Sequence, residues 1–262
     1  MGKAAHKSEN DTRNVRVSNR TGRSPYVIVC DHASNNVPPA FAGLGLTAGD
    51  LSRHIAWDPG ALPVARQLAE SLDAALVEAC VSRLVIDCNR PLDAADLIPT
   101  VSENTAIPGN AMLSDHERAA RIAHYHAPFH AALDDLVARR LASGLEVRLV
   151  AIHSFTPVYK GRARPWHIGV LHDEDERMSL PMLAMLRTAH GLVVGDNEPY
   201  SPADRVYYTL ERHGRRRGCP CVMVEIRNDE IAEDAGQHRW AERLSGILKD
   251  MELVGMTRVA TA

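Results

Sequence analysis

Aromatic residues are scarce. Three phenylalanines, three tryptophans and six tyrosines in 262 positions leave few platforms on which the bases of a single-stranded nucleic acid could stack. A surplus of positive charge is missing as well. Thirty lysines and arginines face 33 aspartates and glutamates, for a formal net charge of −3, where a nucleic-acid binder would show a basic excess. No apolar run approaches the ~20 residues of a membrane span, and the first 24 residues contain no apolar segment of the secretory kind. Five cysteines, an odd number without framework spacing, argue against a disulfide scaffold and for reduced thiols. The expectation is a cytoplasmic protein with neither nucleic acid nor membrane as partner.

What is present describes an ordinary globular chain, 45% hydrophobic and 24% charged. Residues 1–24 are polar and predict a disordered or weakly ordered tail, and residues 25–262 a single α/β domain. Short β-branched runs at 26–30, 76–79, 83–87, 147–152 and 221–226 read as strands. Between them lie helical stripes at 60–74, 180–190, 203–213 and 234–252. A further helix should open at the capping box Ser114–Glu117 and run to about 142, with Pro128 as a kink. Such alternation predicts a largely parallel sheet with helices on both faces.

The expected strand ends concentrate the chemistry, and open α/β sheets bind ligands beyond the carboxyl ends of their strands. Asp31-His32-Ala33-Ser34-Asn35 follows the first run, Cys88-Asn89-Arg90 the third and His153-Ser154 the fourth, while Glu225 lies in the fifth. Two imidazoles and a carboxylate with a water in the fourth position make a catalytic zinc site. A glutamate beside that water can move its proton during hydrolysis of an amide. An arginine beside an asparagine can hold a substrate carboxylate through a planar, two-pronged contact.

In this order the motifs D-H-x-S-N, W-D-x-G, R-L-V-I-D-x-N-R, H-S-F-T-P and V-E-I-R-N-D, spread from about Tyr26 to Glu252, resemble the N-formylglutamate amidohydrolase family, which is related to zinc carboxypeptidases and aspartoacylases. The resemblance implies a three-layer αβα fold with a mostly parallel mixed sheet, of the zinc-exopeptidase kind. It implies His32 and His153 as zinc ligands, Asn89 and Arg90 as a carboxylate clamp and Glu225 as the catalytic carboxylate. The implied activity is zinc-dependent removal of a small acyl group, formyl foremost, from an N-acyl amino acid with a free carboxylate, such as N-formylglutamate. The alternatives are a carboxypeptidase, another N-acyl-amino-acid deacylase, or a metal-free ligand-binding descendant of the fold.

One departure stands out. The related zinc enzymes carry H-x-x-E at the first ligand motif, whereas His32-Ala33-Ser34-Asn35 ends in an amide, a poor zinc ligand beside a carboxylate. Asp58, in Trp57-Asp58-Pro59-Gly60, is the candidate third ligand and Asp31 the reserve, although Asp before Pro is also a plain helix cap. Arg227, two residues after Glu225, should share its face of the strand and is a further candidate for substrate contact. Asp87 reads as a brace for the Asn-Arg turn, His126 and His130 as structural, Arg215–Arg217 as a solvated loop, and Arg162 with Arg164 as a mobile basic lip.

Overall fold

The computed structural model describes residues 14–260, with side chains as far as Leu253. Seven strands form one mixed, mostly parallel sheet: β1 (Val15–Ser18), β2 (Tyr26–Cys30), β3 (Ala75–Ala79), β4 (Arg148–Phe155), β5 (Ile168–Leu171), β6 (Val194–Asp196) and β7 (Cys221–Arg227). Their spatial order is β1-β3-β2-β4-β7-β5-β6. The central strands β3, β2, β4 and β7 run parallel. Antiparallel pairs flank them, β1 on β3 and β5 on β7, and β6 lies parallel to β5.

Among the described residues, seven α-helices accompany the sheet: α1 (Ala48–Ser52), α2 (Ala61–Leu72), α3 (Asp115–Arg121), α4 (Ala127–Ala142), α5 (Ser179–Arg187), α6 (Tyr208–His213) and α7 (Asp234–Ala260). Alternate strand residues point to opposite faces, which sorts the core into two layers. Ile28, Ile152 and Val224 pack against Leu68 of α2, Leu183 of α5 and Leu244 of α7. Val29, Ala151 and Met223 face the other way, onto Phe129 and Leu133 of α4 and Leu210 of α6. Both faces are covered, so β2 and β3 are buried at every residue. The expected three-layer α/β architecture is the one found.

A third apolar cluster lies under the loops at the carboxyl ends of the central strands, and it corrects the sequence reading. Residues 83–87 are not a strand. Leu84, Val85 and Ile86 are buried with Ile55, Leu97 and Ile107, but in consecutive turns. Side chains satisfy the backbone there in place of a ladder. Ser82 accepts from the Leu84 N–H, Asn110 donates to the Leu84 carbonyl at 2.9 Å and Arg121 to the Val85 carbonyl at 3.0 Å. An apolar run of this length has the same periodicity whether it pairs or coils.

Three other expectations change. The reading of 1–24 as a tail fails for Val15–Ser18, where alternate burial of two valines against α4 supports an edge strand; residues 1–13 lie outside the described residues. The long helix from Ser114 opens at its capping box but is not continuous: a π-turn at Ile122–His126 separates α3 from α4. Pro128 cannot donate to the His124 carbonyl four residues back, and Asn14 donates to that carbonyl instead, at 2.6 Å. The helix expected over 203–213 is confined to Tyr208–His213. The short strands β5 and β6, each containing a glycine, carried no readable pattern.

Gly60, at the cap of α2, has φ +80°, and a Cβ there would collide with the Ile231 carbonyl. Gly60→Ala is expected to cost about 2 kcal/mol of stability, read by chemical denaturation. A change under about 0.5 kcal/mol would show the turn to be less constrained than described.

Candidate active site

Three carboxyl-terminal strand ends meet at one cavity of about 250 Å³. β2 delivers Asp31 and His32 immediately beyond its last residue. In the parallel register of β4 and β7, His153 stands opposite Glu225, so the two side chains emerge side by side. Asp58 arrives from the loop before α2, tied down by its N–H to the His32 carbonyl at 3.0 Å and by its own carbonyl, which accepts from the Ala61 N–H at 3.2 Å.

The convergence is centred on one oxygen. Asp58 Oδ2 lies 3.2 Å from His32 Nδ1 and 2.8 Å from His153 Nδ1. His32, Asp58 and His153 are all buried and offer one ligand atom each within 4.8 Å of one another; among the described residues they are the one trio of this kind. Each imidazole is also gripped from behind. His32 Nε2 is 2.8 Å from Asp87 Oδ1, and His153 Nε2 is 3.2 Å from Asp31 Oδ2. A carboxylate on the far nitrogen fixes ring orientation and tautomer and raises the basicity of the near one, the arrangement that metal-binding histidines favour. Two nitrogens, one oxygen and two bracing carboxylates therefore suit a borderline-soft divalent ion. Asp58, the candidate third ligand, lies in the trio with both histidines. Asp31, the reserve, braces His153 and accepts from the Thr209 hydroxyl. Asn35 instead donates to the Leu51 carbonyl.

Beside the trio, Glu225 is 5% exposed, and its Oε2 is buried without a hydrogen-bond partner. Burial is the main cause lifting its carboxyl to about 7, partly offset by His153. A carboxyl poised near neutrality, with an unspent oxygen, can accept and return a proton.

The remaining walls were only partly foreseen. Arg90 lines the cavity with Nε on Asp96 at 2.8 Å and Nη1 on the Asn89 carbonyl at 3.1 Å. Asn89 also lines it, but its amide is engaged at both ends, donating to the Val206 carbonyl and accepting from the Thr209 N–H. Asn89 thus shapes the loop that presents Arg90. Asp87 braces the same turn through the Asn89 N–H, as expected, and reaches His32 besides. Arg227 does not line the cavity: it binds Asp229 at 2.7 Å and Glu230 at 3.2 Å. His126 and His130 hold the carbonyls of Arg90 and Cys88 at 3.0 and 2.9 Å from the side of α4. Among the cavity residues that went unnoticed in sequence, three stand out. Arg83 pairs with Asp87 at 2.9 Å, His54 donates to the Ser154 carbonyl, and Tyr200 closes one wall. Arg83 and His54 each sit four residues before a singled-out aspartate, a spacing with no meaning outside a helix.

Comparison with known proteins gives three findings. A sequence profile described as N-formylglutamate amidohydrolase matches residues 24–232. A gene product of Agrobacterium tumefaciens of known crystal structure is 42% identical, with a TM-score of 0.90, over 96% of this chain and 100% of that one. An N-formylglutamate amidohydrolase from Ralstonia eutropha JMP134 shares the fold at 19% identity and a TM-score of 0.64, over 94% of this chain and 100% of that one. No curated protein matches the chain.

The electrostatics of the trio define what it lacks. Burial and Arg83 press His32 down, yet Asp87 and Asp58 outweigh them and hold its pKa above the ordinary value. For His153, hydrogen bonds to Asp31 and Asp58 overcome burial and hold it well above. Burial opposes ionisation of Asp58, but His32 and His153 keep its carboxyl well below the usual range. Three buried carboxylates (Asp31, Asp58, Asp87) surround the two imidazoles; Arg83 pairs with Asp58 and Asp87, and Arg90, held mainly by Asp96, comes within 3.9 Å of Asp87, which leaves a net negative charge that imidazolium protons or one divalent cation can cancel. Both histidine pKa values are raised on folding, so their stabilisation is complete below about pH 6.5 and is lost as pH rises through the raised values. Glu225, raised to about 7, acts in the same direction. Zinc added to metal-free protein is therefore expected to release protons and to raise Tm more at pH 8 than at pH 6. Calorimetry in buffers of different ionisation enthalpy measures the release; none at all would contradict this charge balance.

Proposed function

The chain belongs to the N-formylglutamate amidohydrolase family, and from that premise we propose that it is a zinc-dependent amidohydrolase that removes the formyl group from an N-formyl amino acid of the N-formylglutamate type. The observation that carries the reading is the convergence of His32 Nδ1 and His153 Nδ1 on Asp58 Oδ2 next to the unpartnered Oε2 of Glu225. His32, Asp58 and His153 would hold the zinc ion, which supplies a Lewis acid for the amide carbonyl and acidifies a water beside it.

The other steps fall to the chain's own groups. Arg90 receives the α-carboxylate of the substrate with the part of its guanidinium not spent on Asp96 and the Asn89 carbonyl, and Asn89 fixes the turn that aims it. Glu225 Oε2 takes a proton from the attacking water and returns it to the amine as the C–N bond breaks. Its near-neutral pKa suits both transfers. Asp87 and Asp31 keep His32 and His153 in the orientation that the site needs. The products are formate and a free amino acid. No helix among the described residues is long and apolar enough to cross a membrane, and buried thiols such as Cys30 and Cys88 fit a reducing compartment, which supports a cytoplasmic setting.

Glu225→Gln keeps the shape of the side chain and removes the base. Turnover of N-formylglutamate should fall by about 10²- to 10⁴-fold while zinc content stays at the wild-type level. Steady-state kinetics with metal analysis on the same sample measure both. Retained activity would remove Glu225 from the mechanism.

A further inference from the structure

Four arginines stand in or near the cavity wall, and three have their charge answered by carboxylates. Arg83 lies against Asp58 and Asp87, Arg90 against Asp96, and Arg227 between Asp229 and Glu230. Arg164 is different. It is only 9% exposed, yet among the described residues no carboxylate lies within ion-pair distance of it. Two aromatic faces hold it instead. Its guanidinium carbon is 4.6 Å from the Tyr159 ring centroid and 4.7 Å from that of Tyr200, with Phe155 at 5.7 Å. Nη1 makes two long hydrogen bonds, each 3.5 Å, to the carbonyl and hydroxyl of Thr156, and the Tyr200 hydroxyl also interacts with the guanidinium.

A guanidinium carries five N–H donors in a fixed planar fork, so most of this one is unspent. Stacking between tyrosines compensates part of the cost of burying a cation and locks the fork in place without neutralising it. Both tyrosines line the cavity that holds His32, His153 and Glu225. Arg164 arrives on a hairpin, Val158–Tyr159 paired with Arg162–Ala163, and Tyr200 on the loop whose Glu198 carbonyl presses so closely on Gly169 that a Cβ there would clash. The basic lip expected from the sequence is therefore half right: Arg162 is exposed, but Arg164 is buried against the two tyrosines of the cavity wall.

We propose that Arg164 is a specificity-determining residue, whose fork receives a second carboxylate carried on the side chain of the substrate while Arg90 receives the α-carboxylate. The proposal rests on the amidohydrolase reading and narrows its substrate class to acyl amino acids with an acidic side chain. N-formylglutamine is the natural control, since it matches N-formylglutamate in shape and lacks only the second charge.

The test compares kcat/KM for N-formylglutamate and N-formylglutamine in wild type, Arg164→Met and Arg164→Lys. Wild type should favour the acidic substrate, and Arg164→Met should reduce that preference at least tenfold, mainly through KM, the scale of one charged hydrogen bond. Arg164→Lys keeps the charge but loses the fork, and should reduce it by less; it decides the matter if the methionine variant does not fold. Equal losses on both substrates would make Arg164 a structural residue and overturn the proposal, as would a ratio unchanged in both variants or a wild type without preference. If wild type hydrolyses neither compound, the amidohydrolase reading fails by itself. Binding of L-glutamate against L-glutamine by calorimetry then decides the role of Arg164: a preference lost in the variants supports it, and no preference in wild type overturns it.

Discussion

The site depends on a charge imbalance that the fold creates and cannot neutralise with its fixed charges. Asp31, Asp58 and Asp87 are buried around two imidazoles, with Arg83 between Asp58 and Asp87 and Arg90, shared with Asp96, at the edge of Asp87. Carboxylates taken out of water are tolerable only when paired. Imidazolium protons can complete the pairing in the absence of a metal, and one divalent cation can do so in their place. Asp58 Oδ2 is the pivot, because both Nδ1 atoms approach it, and any displacement of that oxygen opens the trio. The turn from Asp58 to Ala61, with Gly60 in the left-handed region, is the local structure that holds it.

The supports of this centre come from all three layers. The parallel register of β4 and β7 sets His153 beside Glu225, and β2 places Asp31 and His32 one strand away. From the opposite face, α4 sends His126 and His130 to the carbonyls of the loop that carries Asn89 and Arg90. Burial lowers the pKa of His126 and lowers that of His130 further, so both act as fixed hydrogen-bond donors and not as switches. The expectation that these two histidines are structural agrees with their contacts.

Much of this was legible because the chemistry sits where β-branched runs end. His32, His153 and Glu225 follow from strands whose apolar pattern is unambiguous, and Asp58 from the need for a carboxylate that Asn35 cannot meet. Residues 83–87 misled because burial, and not pairing, makes that run apolar; only the tertiary partners Asn110 and Arg121 reveal it as coil. Arg227 misled for another reason. Alternation does put it on the face of Glu225, but the chain turns immediately after β7 and brings Asp229 and Glu230 back to capture its guanidinium. The second partners of Asp31 and Asp87 were invisible, since no spacing along the chain encodes which imidazole a carboxylate meets.

The central claim is that one ion sits between the two Nδ1 atoms and Asp58. A crystal structure of zinc-loaded protein, with anomalous data at the zinc edge, tests it most directly. The account predicts a single peak at about 2.0–2.1 Å from His32 Nδ1, His153 Nδ1 and an Asp58 oxygen, with the hydrogen bonds of both Nε2 atoms to Asp87 and Asp31 intact. An ion bound through Nε2, at another cluster, or nowhere in the cavity would contradict it.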